Sequence, residues 1–284
     1  MITIKHDAER VKGSTIGLIL INSMYNLEYY IEQALKPHGY RLLITYSDGE
    51  PKSERNCMET LISAKVDGMI CFFSNYENQD LIDGCLQNNI RILQLFGQQY
   101  DCLPTVIIND ETMTYELTHY LIECGHRHIL FPEHRHTIYK HAKHINGSFF
   151  GYKKALNEIG KTITQKEYYC LPLNKDTKPT LRRIIREKNP TAFVATNDEI
   201  TIATLEVLNE FNIEVGNAIS LVAYDDSAWC EYLGITAYQH DFKSIGQYCG
   251  RKIIQLIQNQ GKNQMFLKKF SSPLIKRTSV RSII

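Results

Sequence analysis

The sequence predicts an α/β protein made of two doubly wound parallel-sheet lobes. Three observations carry that prediction. Short β-branched runs alternate with longer amphipathic stretches, and several of the runs are apolar throughout, as strands covered on both faces must be. The alternation also occurs in two successive series across 284 residues, about twice the usual size of one domain.

The first series opens on Thr15-Ile16-Gly17-Leu18-Ile19-Leu20-Ile21, a buried strand, and continues with a helical pattern from Leu27 to Pro37 that Gly39 closes. The unit then repeats. Arg41 to Tyr46 precedes a helix over Ser53 to Ala64, Gly68 to Phe73 precedes one over Asn78 to Asn88, and Arg91 to Phe96 leads to a short strand, Val106 to Ile108. Right-handed crossovers onto parallel neighbours are the only short route between such strands. The second series begins with a helix from Glu111 to Glu123. Strands follow at Ile129 to Phe131, Tyr168 to Cys170, Ala192 to Ala195 and Ser220 to Tyr224. Helices are predicted between and after them at Gly151 to Ile159, Lys178 to Lys188, Glu199 to Asn212 and Ser244 to Gln260. Ligands of such sheets bind beyond the carboxyl ends of the strands, so the strand-end loops and a cleft between two lobes are where function is expected.

Composition excludes several classes. Lys+Arg 32 against Asp+Glu 31 gives a net charge of +1, which is no footprint for a large nucleic-acid surface within the chain. With 43% hydrophobic and 22% charged residues the chain is composed to fold. The eight cysteines contain no CxxC pair and read as buried free thiols. The charged N-terminal decapeptide is unlike a signal peptide and no apolar run reaches a membrane span, so a cytoplasmic location is expected.

Seven of the ten histidines lie between His119 and His144, among them His126-x-His128 and His134-x-His136. Without an HExxH or CxxC to complete a ligand set they read as solvent-exposed loop histidines, with His126 at a helix C-terminus, and no metal is expected. The strand-end turns Asn197-Asp198 and Asp225-Asp226 are better candidates for binding, although Asp198 and Asp226 would also serve as helix N-caps or turn formers. Nucleotide and nucleophile-elbow motifs are missing, so no enzyme and no cofactor are expected. The pairs Lys268-Lys269 and Lys276-Arg277 read as solvated surface.

A set of ordered landmarks spans nearly the whole chain. It runs from Thr15-Ile16-Gly17-Leu18-Ile19 through Gly39-Tyr40, Val66-Asp67-Gly68-Met69-Ile70, Leu121 to Ile129 and Gly151-Tyr152. It continues through Pro190-Thr191-Ala192, Asn197-Asp198, Val222 to Ser227 and Phe242-Lys243-Ser244-Ile245-Gly246, and ends on Leu274 to Ser279. In these the sequence resembles the effector-binding domain of lactose/galactose-repressor family transcription regulators, similar in fold to type I periplasmic sugar-binding proteins. The resemblance implies a residual linker over 1–14, an N-terminal lobe over 15–108 plus 242–270, and a C-terminal lobe over 109–241 plus 271–284. It implies a homodimer whose operator-DNA contacts come from an N-terminal helix-turn-helix not present in this chain, Met1 to Gly13 reading as the tail of a hinge linker. A carbohydrate-like small-molecule effector would bind in the interlobe cleft and shift the dimer between DNA-binding states.

The positions matching the family's pocket give the candidate effector-binding residues: Asn197 and Asp225, which keep the pattern; His240, where a Gln often stands; Ser148, in place of a sugar-clamping Arg; Phe96, in place of a polar residue; and Asn22, in a shortened loop. Tyr25, Phe96, Tyr169 and Trp229 could add aromatic faces for a flatter ligand. Two alternatives share the fold: a solute-binding protein of a transport system, and a cleft enzyme using Asp198, Asp225 and His240.

Overall fold

The computed structural model describes residues 14–134, 147–163, 168–171, 177–259 and 265–284. In chain order its elements begin β1 (Thr15–Leu20), α1 (Tyr25–Leu35), a 3-10 turn (Lys36–His38), β2 (Arg41–Tyr46), α2 (Pro51–Ser63), β3 (Gly68–Cys71), α3 (Gln79–Gln87), β4 (Arg91–Leu95) and β5 (Thr105–Ile108). They continue with α4 (Asp110–Glu123), β6 (Ile129–His134), α5 (Gly147–Glu158), β7 (Tyr168–Leu171), α6 (Lys178–Lys188), β8 (Ala192–Ala195), α7 (Asp198–Glu210), β9 (Ser220–Ala223), α8 (Ala228–Tyr232) and β10 (Thr236–Tyr238). The last are α9 (Phe242–Gln258), β11 (Leu267–Phe270) and β12 (Leu274–Ile275).

Two compact units result. The first runs to Ile108 and resumes from Asp241 to Phe270, while the second begins at Asn109, runs to His240 and resumes from Ser271 to Ile284. Asp241 opens the returning segment of the first unit, one residue before Phe242, and its carboxylate caps α9 by accepting from the Ser244 N–H at 2.9 Å.

In the first unit six strands lie in the order β11-β5-β4-β3-β1-β2, every pair parallel. Alternation along the strands builds a core on each face of this sheet. Ile16, Leu18 and Leu20 of β1 and Ile70 of β3 join Leu27, Ile31, Ile245, Cys249 and Ile253 from α1 and α9. Ile19, Met69 and Cys71 point the other way, onto Met58, Leu61 and Ile82 of α2 and α3. The apolar runs of the sequence are therefore strands with no solvent face.

The second unit orders its strands β12-β10-β9-β8-β6-β7. They are parallel apart from the short β10–β12 pair, so this parallel sheet carries one antiparallel edge. Phe193, Ala195, Leu221 and Ala223 cover one face with Ile200, Ala203 and Val207 of α7 and Leu181 and Ile184 of α6. On the sheet's flank α5 crosses α4 at Gly151. A Cβ there would stand 2.1 Å from the Glu111 carbonyl oxygen and 2.7 Å from the Tyr115 nitrogen, so only glycine permits the approach.

Two expectations are corrected by packing. Arg277 is not solvated surface: its guanidinium donates to both Asp226 oxygens, at 2.7 and 2.9 Å, and to the Ile235 carbonyl. His126 is not an exposed loop residue either. After α4 the chain turns at Gly125 (φ +94°), and the fully buried His126 ring meets the Arg281 carbonyl through Nε2 at 3.2 Å, while Ile283 N–H donates to the Cys124 carbonyl. The C-terminal segment is thus fastened to the end of α4. His128 is exposed and His119 is half-exposed beside Glu123, whereas His136, His141 and His144 lie outside the described residues. The buried-thiol reading holds for Cys57, Cys71, Cys85, Cys230 and Cys249, whereas Cys102 and Cys124 are free but only half-buried and the Cys170 side chain lies outside the described residues; burial pushes Cys85 up to about 11 and Cys249 up to about 12.

Two predictions follow from this packing. Gly151→Ala forces α4 and α5 apart and should cost about 2–3 kcal/mol of stability, read from urea denaturation; an unchanged midpoint would contradict the close crossing. Burial holds the His126 imidazole below its ordinary 6.5, with Arg281 and Arg127 adding repulsion and the Arg281 carbonyl opposing. The neutral ring is therefore favoured in the folded chain. Its stabilisation is complete above pH 6.5 and is lost as pH falls through the lower folded value. Denaturation at pH 7.5 and 5.5 should show a steeper loss for the parent than for His126→Gln.

Candidate functional site

Because the strands of each sheet, β12 apart, run parallel, their carboxyl ends emerge together, and polar residues just beyond them form one face per unit. In the second unit the face is built by β8, β9, β10 and the start of α4. β9 pairs with β10 at Ala223↔Ala237 and with β8 at Ala223↔Ala195, so the residues that follow leave side by side. Tyr224 and Asp225 leave β9, Asn197 leaves β8, and His240 leaves β10.

His240 lies with its side chain 3% exposed and its Nε2 3.0 Å from Asp225 Oδ1, while the Asp225 side chain keeps 34% exposure. This is an ion pair when the imidazole is protonated and a hydrogen bond when it is neutral. The Tyr224 ring is tilted against the His240 ring at 5.2 Å between centroids, and its hydroxyl donates to Asp110 at the first turn of α4. Burial pushes the Asp110 carboxyl above its ordinary value; the Tyr224 hydroxyl and His240 pull it down, and Asp225 adds to the rise. Asp198 is raised as well, by burial and by Asp225, against the hydrogen bond it accepts from Ser227. A chain of contacts thus runs Asp110, Tyr224, His240, Asp225, with Asp198 close enough to feel the last.

Asn197 caps α7: its Oδ1 accepts from the Ile200 N–H at 2.9 Å, leaving the amide nitrogen as its donor end. The cap is therefore Asn197 and not Asp198, and Asp226, engaged by Arg277, caps nothing; Ser227 precedes α8 instead. Ser148 lies half-buried in the first turn of α5. Trp229 packs on the core of this unit and is no free aromatic face.

The corresponding face of the first unit is held by two buried polar hubs. Glu54 of α2 is fully buried and accepts from Ser74 N–H and Oγ, both at 2.7 Å, from Asn75 Nδ2 at 2.9 Å and from Asn78 Nδ2 at 3.0 Å, which pins the loop after β3. Burial raises its carboxyl and those four donors oppose the rise. Gln94 does the same for the loop after β4, donating to the Tyr100 carbonyl and Thr105 Oγ1 and accepting from Gln99 and Tyr100 N–H. On this frame Phe96 takes φ +58°, a left-handed conformation costly for a bulky residue, with its ring edge-on to Phe72 at 5.5 Å. Asn22 is exposed in the short loop after β1, which Glu28 closes by accepting from Met24 N–H at 2.7 Å. Tyr25 is 73% exposed and stacks on Tyr29; the Tyr169 side chain lies outside the described residues.

Of the predicted residues, the structure brings Asp225 and His240 into contact and sets Asn197 on the neighbouring strand end. Phe96 and Asn22 belong to the other unit. Asp110 and Tyr224 escaped sequence reasoning, and a signal for Asp110 was present: Asn109-Asp110-Glu111 after β5 repeats Asn197-Asp198-Glu199 after β8, each at a strand-to-helix junction. The assembled groups can accept and donate hydrogen bonds around a polar ligand. Among the described residues no three His, Cys, Asp or Glu are grouped to hold a metal ion, and no helix is long and apolar enough to cross a membrane.

Known proteins share this architecture. The arabinose metabolism transcriptional repressor of Geobacillus stearothermophilus is 27% identical over 97% of this chain and 79% of its own. The HTH-type transcriptional repressor PurR of Haemophilus influenzae is 24% identical over 95% of this chain and 82% of its own. A LacI family transcriptional regulator from Enterococcus faecium, solved with bound ribose, superposes with a TM-score of 0.81 over 95% of this chain and all of that one, at 19% identity, and so shares the fold. The family model for the periplasmic binding protein-like domain matches residues 118–280, more than half of the sequence, and the chain belongs to that family.

Proposed function

We propose that this chain is the ligand-sensing domain of a bacterial transcriptional regulator. A sugar or related metabolite binds at the strand-end residues Asn197, Asp225 and His240 and at Ser148 in the first turn of α5 of one unit, and at Asn22 and Phe96 of the other. The observation that carries this reading is the Asp225–His240 contact beside Asn197, on the face where a parallel sheet presents its ligand contacts, in a chain whose curated relatives are repressors. A polyol pays for desolvation only where several fixed donors and acceptors meet it, and this face supplies a carboxylate, an imidazole and an amide. The regulator is a homodimer, and its operator contacts are made by a helix-turn-helix head on a longer chain. Such a ligand acts by binding one state of the dimer more tightly than another, and its differential affinity sets the shift between DNA-binding states. The repressor relatives favour this role over a solute-binding protein of a transport system.

Thermal unfolding with ribose, arabinose, other sugars, sugar phosphates and nucleobases tests the proposal. A ligand at one hundred times its Kd adds about 2.7 kcal/mol, a rise of several degrees in Tm, and Asp225→Ala should abolish it. No rise with any small molecule would refute the sensing role, and a stable monomer by light scattering would refute the dimer.

A further inference from the structure

We infer that Arg277 is a positioning residue of the effector site: by holding Asp226 it fixes how the neighbouring Asp225 is presented to a ligand. This rests on the reading above that Asp225 binds an effector, and adds to it a residue of the C-terminal segment on which that binding depends.

The short connection between β9 and α8 carries the argument. Each of its four residues sends a side chain to a different element. Tyr224 donates to Asp110 of α4, Asp225 meets His240 at 3.0 Å beyond β10, Asp226 accepts from Arg277 after β12, and Ser227 donates to Asp198 of α7. The backbone is held as well. Tyr224 N–H donates to the Ala195 carbonyl at 2.9 Å, and the Asp225 carbonyl accepts from the Cys230 thiol at 3.5 Å. The Asp225 side chain keeps 34% exposure and Asp226 only 4%, so the first is open to a ligand and the second is given over to its partner.

Of the four ties, the one to Arg277 is the most directional. Nη1 and Nη2 donate to the two Asp226 oxygens at 2.7 and 2.9 Å, and Nη1 also donates to the Ile235 carbonyl at 2.7 Å. A planar fork that meets both oxygens fixes the plane of the carboxylate as well as its place, which a single hydrogen bond does not. Arg277 is itself fixed, because its backbone N–H donates to Thr236 Oγ1 at 2.9 Å, beside the pairing of β10 with β12. The residue after Asp225 is therefore tied to β10, the strand from which His240 also leaves. Stability alone is weak ground for such a pair, since taking both charges out of water costs about what their attraction returns. What the pair adds is geometry. With Tyr224 and Asp226 both anchored, the backbone at Asp225 cannot turn without breaking one of those ties.

Removing Arg277 alone leaves a buried carboxylate without its cation, so the test removes both charges together. The double variant Asp226→Asn with Arg277→Met is compared with Ile184→Ala, which opens a cavity in the core of the same unit and controls for lost stability. Asp226→Asn by itself, an isosteric change, carries the test if circular dichroism shows the double variant unfolded. The 15N resonance of His240 Nε2, identified by its loss in His240→Gln, reports the contact with Asp225 without any ligand. The double variant should move it most of the way to its position in Asp225→Asn, while Ile184→Ala leaves it at the parent's. In calorimetric titration of the intact chain with D-ribose, L-arabinose and D-glucose, a sugar that binds the parent should bind the double variant about tenfold more weakly and Asp226→Asn about threefold more weakly, with Ile184→Ala unchanged. An unmoved resonance, a sugar affinity equal to the parent's, or an equal change in Ile184→Ala would overturn the inference while leaving the effector reading intact. Failure of all three sugars to bind the parent would count against the effector reading itself, and the inference would fall with it.

Discussion

Parallel pairing of β9 with both β8 and β10 is the constraint on which the candidate site depends. Strands in a parallel ladder are spaced about 4.8 Å apart and point the same way, so whatever follows each of them is delivered to one face at that spacing. Ala195, Ala223 and Ala237 are in register across the three strands. Asn197, Tyr224-Asp225 and His240 therefore emerge as neighbours, although more than forty residues separate the first from the last in sequence. Slipping either strand by a residue would flip the faces of its own side chains and part Asp225 from His240. Ala195, Ala223 and Ala237 share one core cluster with Ile200, Ala203 and Val207 of α7, the helix that Asn197 caps.

The two units meet the cost of polar groups differently. In the first, Glu54 and Gln94 are buried with every function occupied by loop donors and acceptors, and their work is to fix loop shape. Such hubs rigidify the backbone and hold Phe96 in its strained conformation. In the second, ionisable groups face one another: burial raises the Asp110 carboxyl while the Tyr224 hydroxyl opposes that rise, and Asp225 meets His240. Rigid loops on one face and titratable groups on the other are complementary ways of presenting hydrogen-bonding groups without paying the full price of burying them.

Most of the architecture was legible because its signals are local. Apolar runs such as Met69-Ile70-Cys71 read as strands buried on both faces, α1 and α4 show by their apolar period, and α7 and α9 are opened by the capping side chains of Asn197 and Asp241. The short strands β10, β11 and β12 were not legible, since two to four residues at a sheet edge carry too little periodicity to be distinguished from loop. The histidine cluster misled for a related reason. His126 has a polar side chain in a loop, and nothing local shows that the C-terminal segment folds back to bury it against Arg281. Arg277 looked like half of a basic pair, while its partner Asp226 lies 51 residues away.

The sequence by itself determined the α/β class, the double series of strands and helices, and the polar identity of the strand-end turns at Asn197 and Asp225, because hydrophobic period and turn chemistry are properties of neighbouring residues. Only the tertiary structure decided which of those polar residues are spent and which are presented. Asp226 went to Arg277, the Asn197 carbonyl went to the α7 cap, and Asp225 was joined to His240, Tyr224 and Asp110. Those outcomes depend on strand register and on contacts across long stretches of chain, and a carboxylate's charge, exposure and partner are set by what stands beside it in space.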